Sequence, residues 1–166
     1  MQERQDSCAF CVLMRDLSSA HVVASSETCV AVLDASPASL GHTLVMPRAH
    51  YESVWDLDDA TAAALMQTVR SVAALLHDRL APDGLTVRQN NGAASGQRVP
   101  HVHVHLVPRW NGDGHIGWPR ERDEPVDNAV AMRALVGQSL TRDEAFSMRG
   151  SRSIDEPPAD VPPDVA

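Results

Sequence analysis

Apolar residues recur along this chain with two different periods. Between Asp58 and Leu80 they come every three or four positions, at Leu65, Val69, Val72, Leu76 and Leu80. That spacing puts them on one stripe of a helix, the main helix predicted. Asp56, Asp58 and Asp59 near its start suit the positive end of the helix dipole. Ala81-Pro82-Asp83-Gly84 supplies a stop and a turn. Elsewhere the apolar runs are short and rich in valine and leucine, as strands are. His21–Ser25 and Thr28–Asp34 predict a hairpin turning at Ser25-Ser26-Glu27. Gly41–Pro47 predicts a third strand and Leu85–Asn90 a fourth. The fifth is His101-Val-His-Val-His-Leu-Val-Pro108, with Pro108 ending the run. The fourth and fifth, joined by a glycine-bearing loop, would be antiparallel neighbours. Asp127–Leu140 predicts a second amphipathic helix carrying Val130, Leu135 and Val136.

The fifth strand concentrates the chemistry. Residues at i, i+2 and i+4 of a strand share a face, so His101, His103 and His105 would form one row. Val102, Val104 and Leu106 would stand behind them in a core. An ordinary solvated face would mix Lys, Glu, Thr and Ser rather than repeat histidine. The row therefore points to phosphate chemistry or to a metal. In the first case a neutral imidazole attacks phosphorus, where an anion would be repelled, and forms a covalent adduct. Its Nδ1–H then needs an acceptor, a neighbouring ring or a backbone carbonyl, to leave Nε2 unprotonated. His103 has a partner on each side, which favours it as nucleophile, with His105 and His42 as phosphate or leaving-group contacts. In the second case two histidines hold a catalytic zinc. Such a site usually adds a carboxylate ligand, and no acid lies within the strand. The metal-free mechanism is preferred and the metal remains an alternative.

Composition narrows the classes. The chain has 166 residues, 43% of them apolar, and a net charge of −8. That is enough for one domain with its own core, and the charge argues against a grip on a nucleic acid polymer. No apolar run approaches the roughly 18–20 residues of a membrane span, and the polar start is unlike a signal peptide. A soluble cytoplasmic protein is expected. Three cysteines do not suggest a disulfide framework. Cys29, inside a strand, is expected to be core. Cys8 and Cys11 form a C-x-x-C pair, open to three readings: two small buried hydrophobes, a redox pair lacking the usual preceding strand, or half of a zinc site. Asp34 at a strand end reads locally as a turn or capping residue, with a ribose contact as the alternative. The loop Asn91–Arg98 is small, polar and glycine-bearing, so its amides can approach a phosphate.

His101-Val-His103-Val-His105-Leu-Val resembles the signature of the histidine triad (HIT) family, three histidines alternating with apolar residues. Phe10, Asp34-Ala-Ser-Pro37, Gly41-His42-Thr-Leu-Val-Met-Pro47, Asn90, Gly92, Gly96-Gln97 and Pro108-Arg109 extend the likeness over residues 8–120. The resemblance implies an α+β fold: a mostly antiparallel five-stranded sheet with one long helix and a second C-terminal helix, built as a homodimer. Residues 1–145 are taken as the HIT domain; residues 146–166, acidic and proline-rich by composition, are expected to be a disordered tail. The resemblance implies cleavage of a nucleoside monophosphate, AMP above all, from phosphoramidates or phosphoanhydrides through a nucleotidyl-histidine intermediate. Dinucleoside polyphosphate hydrolysis or phosphorolysis and a nucleotide-binding module with little turnover are the alternatives. On this basis His103 is the nucleophile, and His105 and His42 its phosphate-side partners. Asn90 and Gln97 become phosphate-loop contacts, and Asp34 the ribose acid rather than a cap. Arg98 departs from the family, where a small hydroxyl residue is common; it would reach a longer polyphosphate or acidic leaving group, or point outward. Cys8, Cys11, His50 and His101 match the ligands of a structural zinc, with no catalytic metal required.

Overall fold

The protein is described from a computed structural model, which places residues 6–113 and 127–136. The expected tail, the end of the second predicted helix and the segment around Trp118 lie outside the described residues. The chain runs α1 (Ala9–Arg15), β1 (Val22–Ser25), β2 (Cys29–Leu33), β3 (Thr43–Pro47), a 3-10 turn (Val54–Asp56), α2 (Asp59–Leu80), β4 (Gly84–Gln89), a 3-10 turn (Ala93–Ser95), β5 (Val104–Arg109) and α3 (Asn128–Leu135). The five strands form one sheet in the order β1-β2-β3-β5-β4. Every neighbouring pair is antiparallel. The α+β architecture, the hairpin and the β4–β5 pairing are those expected from the sequence.

Helices cover both faces of the central strands, which is why every residue of β2 and β3 is buried. On one face Cys29, Ala31, Leu33, Val45, Val104 and Leu106 meet the whole predicted stripe of α2, together with Ala131, Ala134 and Leu135 of α3. On the other, Val30, Val32, Leu44 and Met46 meet Phe10, Leu13 and Met14 of α1. The period of two thus sends Val104 and Leu106 towards α2 and turns His103 and His105 towards α1. Asp58 caps α2, its carboxylate accepting from Thr61 N–H at 2.7 Å. Ala81 ends the helix with φ +46°, in the left-handed region. Gly41 sits at φ +75°, and a Cβ there would stand 2.4 Å from Leu80 Cδ1. The positive φ favours glycine in the turn before β3, where it also lies close against the Leu80 and Leu76 side chains of α2.

Three details differ from the sequence reading. The β5 ladder begins at Val104, so His101 and His103 precede it; Val102 N–H instead donates to Tyr51 O at 2.7 Å. Pro108 does not end the strand, which runs on to Arg109. The pairing with β3 has already stopped at Leu106, so one flank of β5 is without ladder bonds where the proline falls. Val136, expected on the apolar stripe, is 65% exposed just past the end of α3.

Candidate functional site

The α1 side of the sheet carries a cavity of about 800 Å³, within the usual size of a small-molecule site. Phe10 and Leu13 of α1, the Asp34–Ala38 turn, His42, Arg88, Asn90, the Gly96–Val99 stretch, His103, His105 and Asn128 line it. His101 is not among them. Its ring turns away towards Cys8 and Cys11, so the histidine row divides between two sites.

Backbone groups decide which nitrogen of each ring carries a proton. His103 Nδ1–H donates to the carbonyl of His101 at 2.7 Å, which leaves Nε2 as a lone pair. Ala38 N–H donates to His42 Nδ1 at 3.1 Å, so in neutral His42 the proton sits on Nε2. That Nε2–H donates to His105 Nδ1 at 2.9 Å, which in turn leaves the His105 proton on Nε2. The result is a one-way chain from a main-chain amide through two rings, beside a ring whose outer nitrogen is basic. His103 and His105 pack edge to face with centroids 4.9 Å apart, and Phe10 stands edge-on to His103 at 5.1 Å.

The two oxygens of Asp34 face different neighbours. Oδ1 accepts from Ser36 N–H at 2.8 Å, the turn role. Oδ2 lies 3.5 Å from His42 Nε2 and 3.9 Å from His105 Nδ1. Asp34, His42 and His105 therefore supply the carboxylate that the sequence lacked for a catalytic metal. The tautomer argues against that use, because His42 Nε2, the atom facing the cluster, already carries the proton that Ala38 forces onto it.

Asn90 and Gln97 lie in the cavity wall, but their amides are engaged within the protein. Asn90 Nδ2 donates to Ser95 O at 2.5 Å, and its Oδ1 accepts from Arg88 Nε at 2.8 Å. Gln97 Oε1 accepts from Gly92 N–H at 2.6 Å, and its Nε2 donates to Glu52 O at 2.8 Å. These bonds tie the loop together around both side chains. Arg98 is exposed at the cavity mouth. Sequence reasoning missed Arg88 and Asn128. Asn128 reaches from α3, where Nδ2 donates to Asp34 O at 3.0 Å.

Burial holds the rings neutral. Desolvation, then the nearby His103, lowers His42 to about 4. Desolvation, then His103 and His42, lowers His105 to about 4 despite Asp34. Desolvation also lowers His103, against the pull of the His101 carbonyl and Asp34. A histidine depressed on folding binds its proton more weakly in the folded than in the unfolded chain. Stability is then complete above the unfolded value near 6.5 and is lost as pH falls towards about 4. For His42 and His105 together the loss is expected to be roughly a few kcal/mol. Melting temperature should be flat from pH 8 to 7 and fall between about 6.5 and 4. A curve that stays level to pH 4.5 would mean the rings gain charge without cost.

The second cluster unites all four residues predicted to bind zinc. Ligand atoms of Cys8, Cys11, His50 and His101 lie within 4.8 Å of one another. His101 Nε2–H donates to Pro47 O at 2.9 Å, so its Nδ1 lone pair faces the thiols, 3.5 Å from each sulfur. His50 Nδ1 lies 3.3 Å from Cys11 Sγ. Burial and the adjacent Cys8 push the Cys11 thiol up to about 11. Among the described residues His50 Nε2 is buried without a hydrogen-bond partner, a cost that the cohesion of the cluster must offset. A closed set of two sulfurs and two imidazoles, one ring oriented by a carbonyl, fits a structural metal site.

Comparison with known proteins follows the same lines. A family model described as the HIT domain matches residues 16–112. An adenosine 5'-monophosphoramidase of Schizosaccharomyces pombe is 34% identical over 116 residues, covering 68% of this chain and 84% of that protein. An adenylylsulfatase of Arabidopsis thaliana is 31% identical over 109 residues, 66% of this chain and 55% of the plant protein. The crystal structure of a zinc-bound histidine triad family protein from Mycobacterium smegmatis superposes with a TM-score of 0.69 at 30% identity, covering 86% of this chain and 96% of that one.

Proposed function

The chain belongs to the HIT family, and from that premise we propose that it splits nucleoside monophosphates, AMP above all, from phosphoramidates or phosphoanhydrides through a nucleotide bound covalently to His103. The observation that carries the reading is the His103 Nδ1–H bond to the His101 carbonyl, 2.7 Å long, which turns a neutral, basic Nε2 to the cavity. Attack forms the Nε2–P bond as the bond to the leaving group breaks. The imidazolium that results keeps its Nδ1–H on the carbonyl, whose partial charge offsets the new positive charge. His105 presents Nε2–H to a phosphate oxygen or leaving atom and draws on the His42 chain behind it. Asp34 Oδ2 faces the same space and is suited to accept from a ribose hydroxyl. Water then displaces the nucleotide from Nε2. Relatives that act as an adenosine monophosphoramidase and an adenylylsulfatase support the AMP half of the substrate. Quenching a single turnover with acid-labile care and mapping the adduct by mass spectrometry should find the nucleotide on His103; an adduct on another side chain would sink the reading.

Zinc belongs to the same proposal. Cys8, Cys11, His50 and His101 would hold it, where it would tie α1 to the backbone ahead of His103. The homodimer is proposed through β4, one of the two edge strands, whose Val87 is 52% exposed. Light scattering should return the mass of two chains, and a single-chain mass would remove that part. Among the described residues no helix is long and apolar enough to cross a membrane. We place the protein in the cytoplasm, where Cys8, Cys11 and Cys29 would stay out of disulfides.

A further inference from the structure

The cavity is electrically lopsided. The chain as a whole carries −8, yet the lining holds two arginines, Arg88 and Arg98, against one acid, Asp34. These groups sit at opposite ends. Asp34 follows β2, beside His42. Arg88 lies on β4, directly across the ladder from His105, and so on the same face of the sheet. With the strand order β2-β3-β5-β4, the site passes from carboxylate through His42 and His105 to guanidinium. Arg98 belongs to the loop joining β4 to β5 and adds its charge at that same end. It makes no hydrogen bond or ion pair with the described residues.

We propose that Arg88 and Arg98 form a leaving-group subsite that selects nucleotides releasing an oxyanion, such as phosphate, polyphosphate or sulfate, over those releasing an amine. This rests on the nucleotidyl-His103 reading and narrows its substrate class. With the ribose held at the Asp34 end, the departing group lies towards the arginines. The Nε2–P bond forms, the P–O bond breaks, and its electron pair leaves on the departing oxygen. Guanidinium groups match that added charge with directed N–H donors. Water then takes the nucleotide from the imidazolium, giving the monophosphate, one proton to solvent and neutral His103. An amine leaves only with a proton, which a guanidinium does not give up, whereas an oxyanion needs none.

The test uses two substrates that share AMP and differ only in what leaves: adenosine 5'-phosphosulfate and adenosine 5'-phosphoramidate. The readout is the ratio of kcat/KM, sulfate over amide, in the full-length protein. Arg98→Ala and Arg88→Gln should each lower the ratio about tenfold, the scale of one charge-assisted hydrogen bond. Arg98→Lys should restore most of it at low salt. Arg88→Lys keeps the charge but not the Nε bond to Asn90, and should hold the ratio well above Arg88→Gln. A ratio unmoved by both neutral variants, with both substrates still turned over, overturns this inference and leaves the His103 reading standing. Turnover of neither substrate by the unmodified protein removes that reading and the subsite with it.

Discussion

His103→Ala is expected to abolish nucleotide turnover, with a loss on the order of 10⁴-fold or more, the scale on which removal of a covalent nucleophile is felt. No neighbour can substitute. His105 Nδ1 accepts from His42, and its protonated Nε2 has no lone pair to offer. His42 Nε2 is protonated by the same logic. The ring of His101 faces the cysteines. His103 is only 6% exposed, so alanine also opens a hole beside Phe10. His103→Asn separates the two effects, because its amide can still donate to the His101 carbonyl and fill part of the space. Asparagine should bring back melting temperature without activity. His105→Ala removes a donor rather than the nucleophile, and its loss should be smaller, about 10²–10³-fold. Steady-state rates on an AMP ester and thermal melts decide the matter. Activity surviving in His103→Ala would require another nucleophile.

The second large effect is expected at the other cluster. Protein purified without added metal should hold about one zinc per chain, and the double variant Cys8→Ser, Cys11→Ser should hold none. The α1 helix spans only seven residues, none of them buried outright. A helix that short is not stable by itself. Without the cluster, Phe10, Leu13 and Met14 alone would fasten it to the sheet. The expected loss is several kcal/mol, less than in a peptide folded by metal alone because the α2 core remains. Since Phe10 and Leu13 are cavity wall, KM should rise as melting temperature falls. Elemental analysis that finds no zinc in the unmodified protein would return the cysteines to plain packing.

The sheet and α2 were legible because burial writes itself as period. All five apolar residues of the α2 stripe are buried where the spacing put them. The alternation in His101–Leu106 told which side chains were core. What the alternation hid is that His101 turns to a different site from His103, which depends on contacts with residues some ninety positions away. Arg88 was invisible for a similar reason. One arginine in a strand reads as solvated surface, and only its pairing opposite His105 brings it to the cavity. Asn90 and Gln97 fit the family pattern, yet most partners of their amides lie in main chain that only the folded loop brings near, the exception being Arg88 Nε on Asn90. The need for an Nδ1–H acceptor could be foreseen, but not which group supplies it, because a carbonyl orients His103 and an amide orients His42.

That last point has a consequence for how such a site can change over generations. Ala38 N–H, His101 O and Pro47 O each orient one ring, and every residue type but proline keeps an amide hydrogen while all keep a carbonyl. Codons at Ala38 or Pro47 can drift without rewiring the imidazoles so long as the path of the chain is kept. The selective burden of preserving reactivity therefore falls on the curve of the polypeptide, which frees the surrounding walls to be retuned for new substrates.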